Sequence, residues 1–539
     1  MKMKTILYKA IICTTLILLG TSCKDNFLEE KPLAFLNPEV ALVNKAGFES
    51  AIAAIHQAVR DEFNRGNATG IYILQLGTDV CTTGDETLQT FKNYETTLTP
   101  GSSTAAYFWN FEYTTMIPRA NTVIDYADRP AAKWANEAEK NAIVAEARFL
   151  RAYTYNGLAN TYGGVPIVDR IYDQPKFDFV RASQQEVYEF VRQDLEFASQ
   201  WLPETTTQPG RIVKAAADHL LSEVYMSLGQ YDKAIASASA VINSGKYKLM
   251  NARFGSKASE PGDVYSDLFR DGNQNPSSGN TETIWALQYE FQTPGGLASS
   301  SGNLGNMDLR GWGSFYSAAK APNGTTAMVV ADSLGRGVGW LRGTNYLFYD
   351  IWKEDSKDMR NSPYNIRRDW YYNLPTSPYF GKKVTYFPGL DTMQHVGPML
   401  RKVEGEPVLG RNTGQTVKDK YVYRLAETYL LRAEAYIRKG DMTSAAADVN
   451  VVRARAKAKP ATPAQMSIDY ILDERARELT TEEVRRRTLT RVGKLVERVR
   501  KYNPRSSSSI EEKHELFPIP QTAIDANIEG TLEQNPGYN

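Results

Sequence analysis

Three stretches of the chain gather side chains suited to holding a ligand. RGWGSFY places Arg310, Trp312, Phe315 and Tyr316 close together, with small residues that let a ligand approach the backbone. RRDWYYN adds Arg367, Arg368, Asp369, Trp370, Tyr371 and Tyr372, and GTDVCTTGDETLQTFKNYE offers Asp79, Asp85 and Tyr94. Flat aromatic faces suit the C–H-rich faces of sugar rings, while carboxylates and guanidinium forks suit hydroxyls. The chemistry these types support is noncovalent capture of a saccharide. Asp79, Asp85, Tyr94, Arg310, Trp312, Tyr316 and Trp370 carry that expectation, although any single aromatic is more often core than platform.

Bond-making chemistry finds less support. Hydrolysis of a glycan needs two carboxylates about 5–10 Å apart, one with a raised pKa. Among 62 acids, pairs such as Asp85 and Glu86 are easy to find and none is privileged. The chain has no G-x-S-x-G, H-E-x-x-H, C-x-x-C or P-loop. Cys81 has no placeable histidine partner and reads as a buried free thiol. His56, His219, His395 and His514 are scattered singly, so no catalytic residue, cofactor or metal site is expected. A calcium held by loop carbonyls would leave no readable spacing.

The elements that must position these residues are mostly helical. Phe48, Ala51, Ile52, Ile55, Val59 and Phe63 mark one face of a helix following Asn37-Pro38. Helical hairpins are expected over 104–128, 135–162 and 183–202, the last opened by a Ser183/Glu186 capping box. Tyr225, Gly229, Ala234 and Ala238 lie at the same offsets as Tyr436, Gly440, Ala445 and Val449. That is the large–small alternation of a tetratricopeptide hairpin, twice, 211 residues apart. His219, inside the first copy, reads as a packed scaffold residue.

Residues 262–414 hold 20 of the 38 glycines and five of the eight tryptophans (Trp285, Trp312, Trp340, Trp352 and Trp370). They show little helical period, so the stretch reads as a loop-rich insertion, where function tends to sit. The fold class is therefore mainly α: a tetratricopeptide-like scaffold (37–261 and 418–539, packing as one unit) carrying an aromatic-rich insertion (262–417).

The ionic balance excludes a general polyanion binder. Sixty-three basic and 62 acidic side chains give +1, which falls to −2 once Lys2, Lys4 and Lys9 leave with the leader. The run Arg485-Arg486-Arg487, Arg491, Lys494, Arg498, Arg500, Lys501 follows Glu474, Glu478, Glu482 and Glu483, and reads as a solvated, ion-paired helical face. No nucleic acid partner is expected.

Those three lysines precede the apolar run Ile11 to Leu19, then Gly20, Thr21, Ser22 and Cys23. This is a secretory signal over 1–22, too short to span a bilayer, which needs about 20 apolar residues. Cys23 directly after the small residues resembles a bacterial lipoprotein signal, with residues 23–36 as stalk. Gly20 stands where that signal usually has Leu. Cleavage there removes Cys13 and acylates Cys23, leaving Cys81 without a disulfide partner.

Several stretches together resemble the SusD/RagB family of surface lipoproteins from Bacteroidota. They are CKDNFLEEKP, AEARFLRAYTYNGLANTYGGVPIV, SQQEVYEFVRQDLEFASQWLP, GRIVKAAADHLLSEVYMSLGQYDKAIASASAVINSGKYKL, YVYRLAETYLLRAEAYIRKGDMTSAAADVNVVRARA, IDYILDERARELTTEEVRRRTLTR and FPIPQTAIDANIEGTLEQNPGY. Residues 262–414 lack a strong match. The resemblance implies a tetratricopeptide-containing fold and non-enzymatic glycan binding, with the pocket in loops of the two aromatic-rich regions. It also implies an outer-membrane lipid anchor at Cys23, facing the cell exterior, and a SusC-like TonB-dependent transporter as partner. A peptide-binding member of the family is the alternative. A secreted glycoside hydrolase, or a scaffold with no small ligand, follows at a distance.

Overall fold

The computed structural model describes residues 37–293, 305–406 and 413–538. The expected signal peptide (1–22), the stalk (23–36) and lipidation at Cys23 lie outside them.

The helix expected after Asn37-Pro38 is divided. Asn37 caps a single turn, Pro38–Ala41, with Pro at its first position. Helix α1 (Lys45–Gln75) then starts afresh, and the Asn44 side chain accepts from the Gly47 amide at 3.1 Å. A Cβ on Gly47 would lie 1.9 Å from the Ala41 carbonyl oxygen, so only glycine lets the two helices meet this closely. Phe48, Ile52, Ile55, Val59 and Phe63 are buried along one face, as their spacing predicts.

After the short strand β1 (Cys81–Thr83), α2 (Ser103–Phe111) runs through a π turn at Glu112–Met116 into α3 (Ile117–Ala127). Four helices follow, each packed on the next: α4 (Glu137–Tyr162), α5 (Gln184–Trp201), α6 (Lys214–Ser227) and α7 (Tyr231–Ile242). The capping box at Ser183 and Glu186 is formed. The chain then leaves the helical stack through strands β2 (Thr283–Leu287) and β3 (Leu341–Gly343). It returns by β4 (Lys420–Arg424) into α8 (Leu425–Lys439), α9 (Met442–Arg455), α10 (Ile468–Leu479), α11 (Arg485–Arg491) and α12 (Leu495–Tyr502).

Although 211 residues apart in sequence, the two repeat-like hairpins are neighbours in space. Helix α7 packs on α8. Thr428 Oγ1 lies 2.8 Å from His219 Nδ1, and Arg432 Nη1 donates to Ser239 Oγ at 2.9 Å. Ala234, Ala238, Ala445 and Val449 are buried, and both hairpin glycines take positive φ, +71° at Gly229 and +86° at Gly440. The insertion is thus an excursion between two consecutive layers of one stack, and the antiparallel pair β2–β4 closes its base.

Buried charge locks the insertion to the C-terminal helices. Arg360 reaches Asp358, Glu474 and Glu478, while Arg424 and Arg455 both reach Glu282 and Glu478. The basic run is ion-paired as expected, yet Arg485, Arg486, Arg491 and Arg498 are buried, which corrects the solvated-face reading. Carboxylates that meet three of them come from distant elements: Asp79 for Arg485 and Arg498, and Glu434 for Arg491.

Candidate functional site

Strands β1 and β3 join the loop after α1 to the insertion, pairing Cys81 with Gly343, Thr82 with Arg342 and Thr83 with Leu341. Alternation sends Cys81, Leu341 and Gly343 into the core. The other side of the ribbon carries Trp340 and Arg342, both partly exposed. The Gly84 amide donates to the Trp340 carbonyl at 3.0 Å, extending the pairing by one position. A Cβ at Gly84 would lie 2.2 Å from the Gly339 carbonyl oxygen.

Trp340 is braced from below. Tyr72 of α1 meets it edge to face at 5.2 Å, and the Arg310 guanidinium sits 5.3 Å from its ring centre. Arg342 is more isolated: its Nε is buried and meets no acceptor among the described residues. Burial pulls the Arg342 guanidinium below its ordinary pKa, Arg505 adds to that, and Tyr349 and Asp391 oppose it. Tyr349 is 46% exposed, with the Arg368 guanidinium 5.6 Å from its ring centre. The loop bearing Asp391 closes the edge, its carboxylate accepting from the amides of Met393 and Gln394 at 2.7 and 2.8 Å.

This arrangement offers a partly exposed indole and a partly exposed guanidinium on the ribbon, with the exposed phenol of Tyr349 on the segment that follows it. It can stack a ring and donate to oxygen. Burial, with Glu62 beside it, raises Glu112 well above its ordinary value, and burial raises Asp419 to about 6 and Glu515 to about 7; the last two accept from the backbone amides of Tyr289 and Val496.

The residues expected from sequence separate into two groups. Asp85 and Arg310 stay partly exposed beside the ribbon. Asp85 shapes its own loop, accepting from the Thr87 amide at 2.8 Å and hydroxyl at 2.7 Å. Asp79, Tyr94, Trp312, Tyr316 and Trp370 are buried in the framework. Asp79 neutralises Arg485 and Arg498. The Tyr94 hydroxyl donates to the Gly77 carbonyl at 2.8 Å. Tyr316 stacks on Trp370 at 5.3 Å, and the Trp370 indole donates to the Gly397 carbonyl at 3.0 Å.

Trp340, Arg342 and Tyr349 are the residues that motif reading passed over. Of the five insertion tryptophans, Trp285, Trp312, Trp352 and Trp370 are buried, and Trp340 alone is partly exposed. A second aromatic surface lies on the 370–386 excursion, where Tyr371, Phe380 and Tyr386 are 52%, 55% and 76% exposed. Among the described residues, no cluster of three or more His, Cys, Asp or Glu could hold a metal ion, and no helix is long and apolar enough to cross a membrane.

A family model described as "SusD family" matches residues 281–538, and one described as "Starch-binding associating with outer membrane" matches residues 26–226. The first runs through most of the insertion, where short motifs gave no strong match. A SusD-like protein of Formosa agariphila is 27% identical, with 97% of this chain and 98% of that protein covered. The starch-binding protein SusD of Bacteroides thetaiotaomicron is 33% identical over 25% of this chain and 24% of its own length. Among solved structures, a laminarin-binding SusD-like protein superposes with a TM-score of 0.70 at 24% identity, covering 92% of this chain and all of that one. Surface glycan-binding protein A from Bacteroides thetaiotaomicron, in complex with laminarihexaose, gives 0.69 at 22% identity, with 91% and 99% covered. With matching family models over both halves and a relative aligned nearly end to end, the chain belongs to the SusD family.

Proposed function

We propose that this protein captures a glycan without chemically altering it and passes it to a SusC-like TonB-dependent transporter in the outer membrane. The observation that carries the reading is the ribbon face, where Trp340 and Arg342 lie on one side and the exposed Tyr349 is an electrostatic neighbour of Arg342. A stacked ring with a neighbouring fork of donors suits a saccharide and needs no covalent step. The printed descriptions of its relatives, starch-binding and laminarin-binding among them, support the same ligand class. The family description associates such proteins with the outer membrane, and acylation at Cys23 would supply the tether.

The test is binding to a panel of polysaccharides and peptides, with reducing ends assayed in the same wells. Saturable glycan binding, no new reducing ends and about tenfold weaker binding for Trp340→Ala are expected. New reducing ends would replace this reading with hydrolysis, and binding to peptides alone would replace the ligand class.

A further inference from the structure

Elsewhere in this molecule most deeply buried guanidinium groups are closed by carboxylates; Arg486 is an exception, donating to the Ile73 and Leu76 carbonyls and the Tyr94 hydroxyl. Arg491 is held by Glu434, Arg475 by Glu427 and Glu483, and Arg360 by Asp358, Glu474 and Glu478. Burial alone would lower their pKa values, but those carboxylates raise each above its ordinary value.

The ribbon face follows a different rule. Arg342 has a buried Nε with no acceptor among the described residues, and its electrostatic neighbours include a second cation, Arg505. Arg505 is itself occupied, paired with Glu86 and donating to the Thr83 carbonyl at 3.1 Å. Arg368, beneath Tyr349, donates to neutral acceptors: the Phe348 carbonyl at 2.6 Å, and the Asn361 side-chain and main-chain oxygens at 2.7 and 3.3 Å. The carboxylate nearest in role, Asp391, already accepts two backbone amides through one oxygen, and its other oxygen lies 3.9 Å from His395. A fold that meets most of its interior arginines with acids leaves Arg342 and Arg368 without a carboxylate hydrogen bond on its aromatic face.

We propose that the glycan held on this face is acidic: a saccharide bearing a carboxylate or sulfate, whose anionic group meets Arg342 while its ring lies against Tyr349. The inference rests on the glycan-binding reading and specifies its ligand. It does not conflict with the near-zero charge of the whole chain, because a local unmatched guanidinium needs no long-range field. At about 8 Å, the screening length at physiological salt leaves a contact pair largely intact while suppressing distant attraction. A planar fork and an oxyanion also match geometrically, which an ammonium would reproduce only in part.

The experiment is titration calorimetry on the protein with two matched pairs of polysaccharide. One pair is polygalacturonate and its methyl ester; the other is a sulfated galactan and its desulfated form. Each is measured at low and physiological salt, with wild type, Arg342→Gln, Arg342→Lys and Trp340→Ala, and thermal melts confirm folding. One charged polymer should bind about tenfold more tightly than its neutral partner. Arg342→Gln should abolish that preference with an unchanged melting temperature, and Arg342→Lys should retain part of it. Which pair responds separates uronate from sulfate. Neutral polymers binding as tightly as charged ones, with dependence on Trp340, would overturn this inference and leave glycan capture standing. A preference that survives Arg342→Gln would overturn the role of that residue. No polysaccharide binding at all would overturn both readings together.

Discussion

Arg485 donates to both carboxylate oxygens of Asp79, Nε at 2.9 Å and Nη2 at 2.7 Å, across 406 residues of sequence. Arg498 adds a third bond at 2.7 Å. Asp79 lies just before β1, so this buried triad sets the ribbon against α11 and α12. The same bonds explain why an acid expected to face ligand faces the core.

Substituting one partner of a buried ion pair strands the other. Asp79→Ala should therefore lower unfolding stability by about 3–5 kcal/mol, read from denaturant midpoints. Glycan affinity of the fraction still folded should change little. A large affinity loss with unchanged stability would restore Asp79 to a ligand-binding role.

The acid side of the stability profile follows from the same group. Burial tends to raise the Asp79 pKa, but Arg485 and Arg498 outweigh it and hold the carboxyl at about 2, against 3.8 in the unfolded chain. Glu146, Glu427, Glu434 and Glu478 are likewise held at about 2 against 4.5: His56 and then Arg211 overcome burial at Glu146, Arg475 and His219 at Glu427, and mainly arginines at the other two. A folded-state pKa below the unfolded one contributes stability above the unfolded value and loses it on acidification. Melting temperature should fall steeply between about pH 4.5 and 2. Asp79→Asn should flatten the part of that fall below about pH 4.

The insertion tryptophans should divide by burial. Trp312→Ala and Trp370→Ala remove buried rings and should each cost about 3–5 kcal/mol of stability. Trp340→Ala should cost about 1–2 kcal/mol, with its main effect on affinity. Measuring melting temperature and binding on the same preparations separates the two behaviours. Trp312→Ala with native stability and lost binding would reverse the assignment.

Much of this scaffold was legible from spacing. The Ser183/Glu186 box is formed, and the paired offsets of Ala234, Ala238, Ala445 and Val449 identified the faces that close. Helix faces are local, so a period of 3.6 residues reports them directly. Packing of 418–539 on 37–261 was expected, but that these two hairpins are the adjoining layers was not legible, because the intervening excursion hides the register between them. The candidate site was legible by region only. Residue type marks Trp312, Trp340 and Trp370 alike, and only long-range pairing of β1 with β3 decides which ring is left partly exposed. The arginine run failed for a similar reason, since Asp79 and Glu434 are distant in sequence from the guanidinium groups they neutralise.

Gly84 tests whether the ribbon itself positions the site. An added Cβ would lie 2.2 Å from the Gly339 carbonyl oxygen, which is backbone and cannot swing away. Gly84→Ala should push the two loops apart beneath Trp340. About tenfold weaker glycan binding is expected, with the cooperative melt of the helical stack retained. Unchanged affinity would place the binding face elsewhere, with the 370–386 excursion the next candidate.

Glu515 carries a burial cost that should be removable. Its Oε1 accepts the Val496 amide at 3.1 Å, but its Oε2 is buried without a partner, and burial raises the carboxyl to about 7. Because the folded pKa lies above the unfolded value of 4.5, the charged form destabilises the fold progressively as pH rises from 4.5 through 7. Glu515→Gln keeps an acceptor for Val496 and removes the charge. The variant should be more stable than wild type at pH 8, by roughly 1–3 kcal/mol, and the two should converge below about pH 4.5. Denaturant titrations at pH 4.5, 6 and 8 measure this directly. A variant less stable than wild type at pH 8 would mean that the ionised carboxylate has a partner in solution and is not stranded.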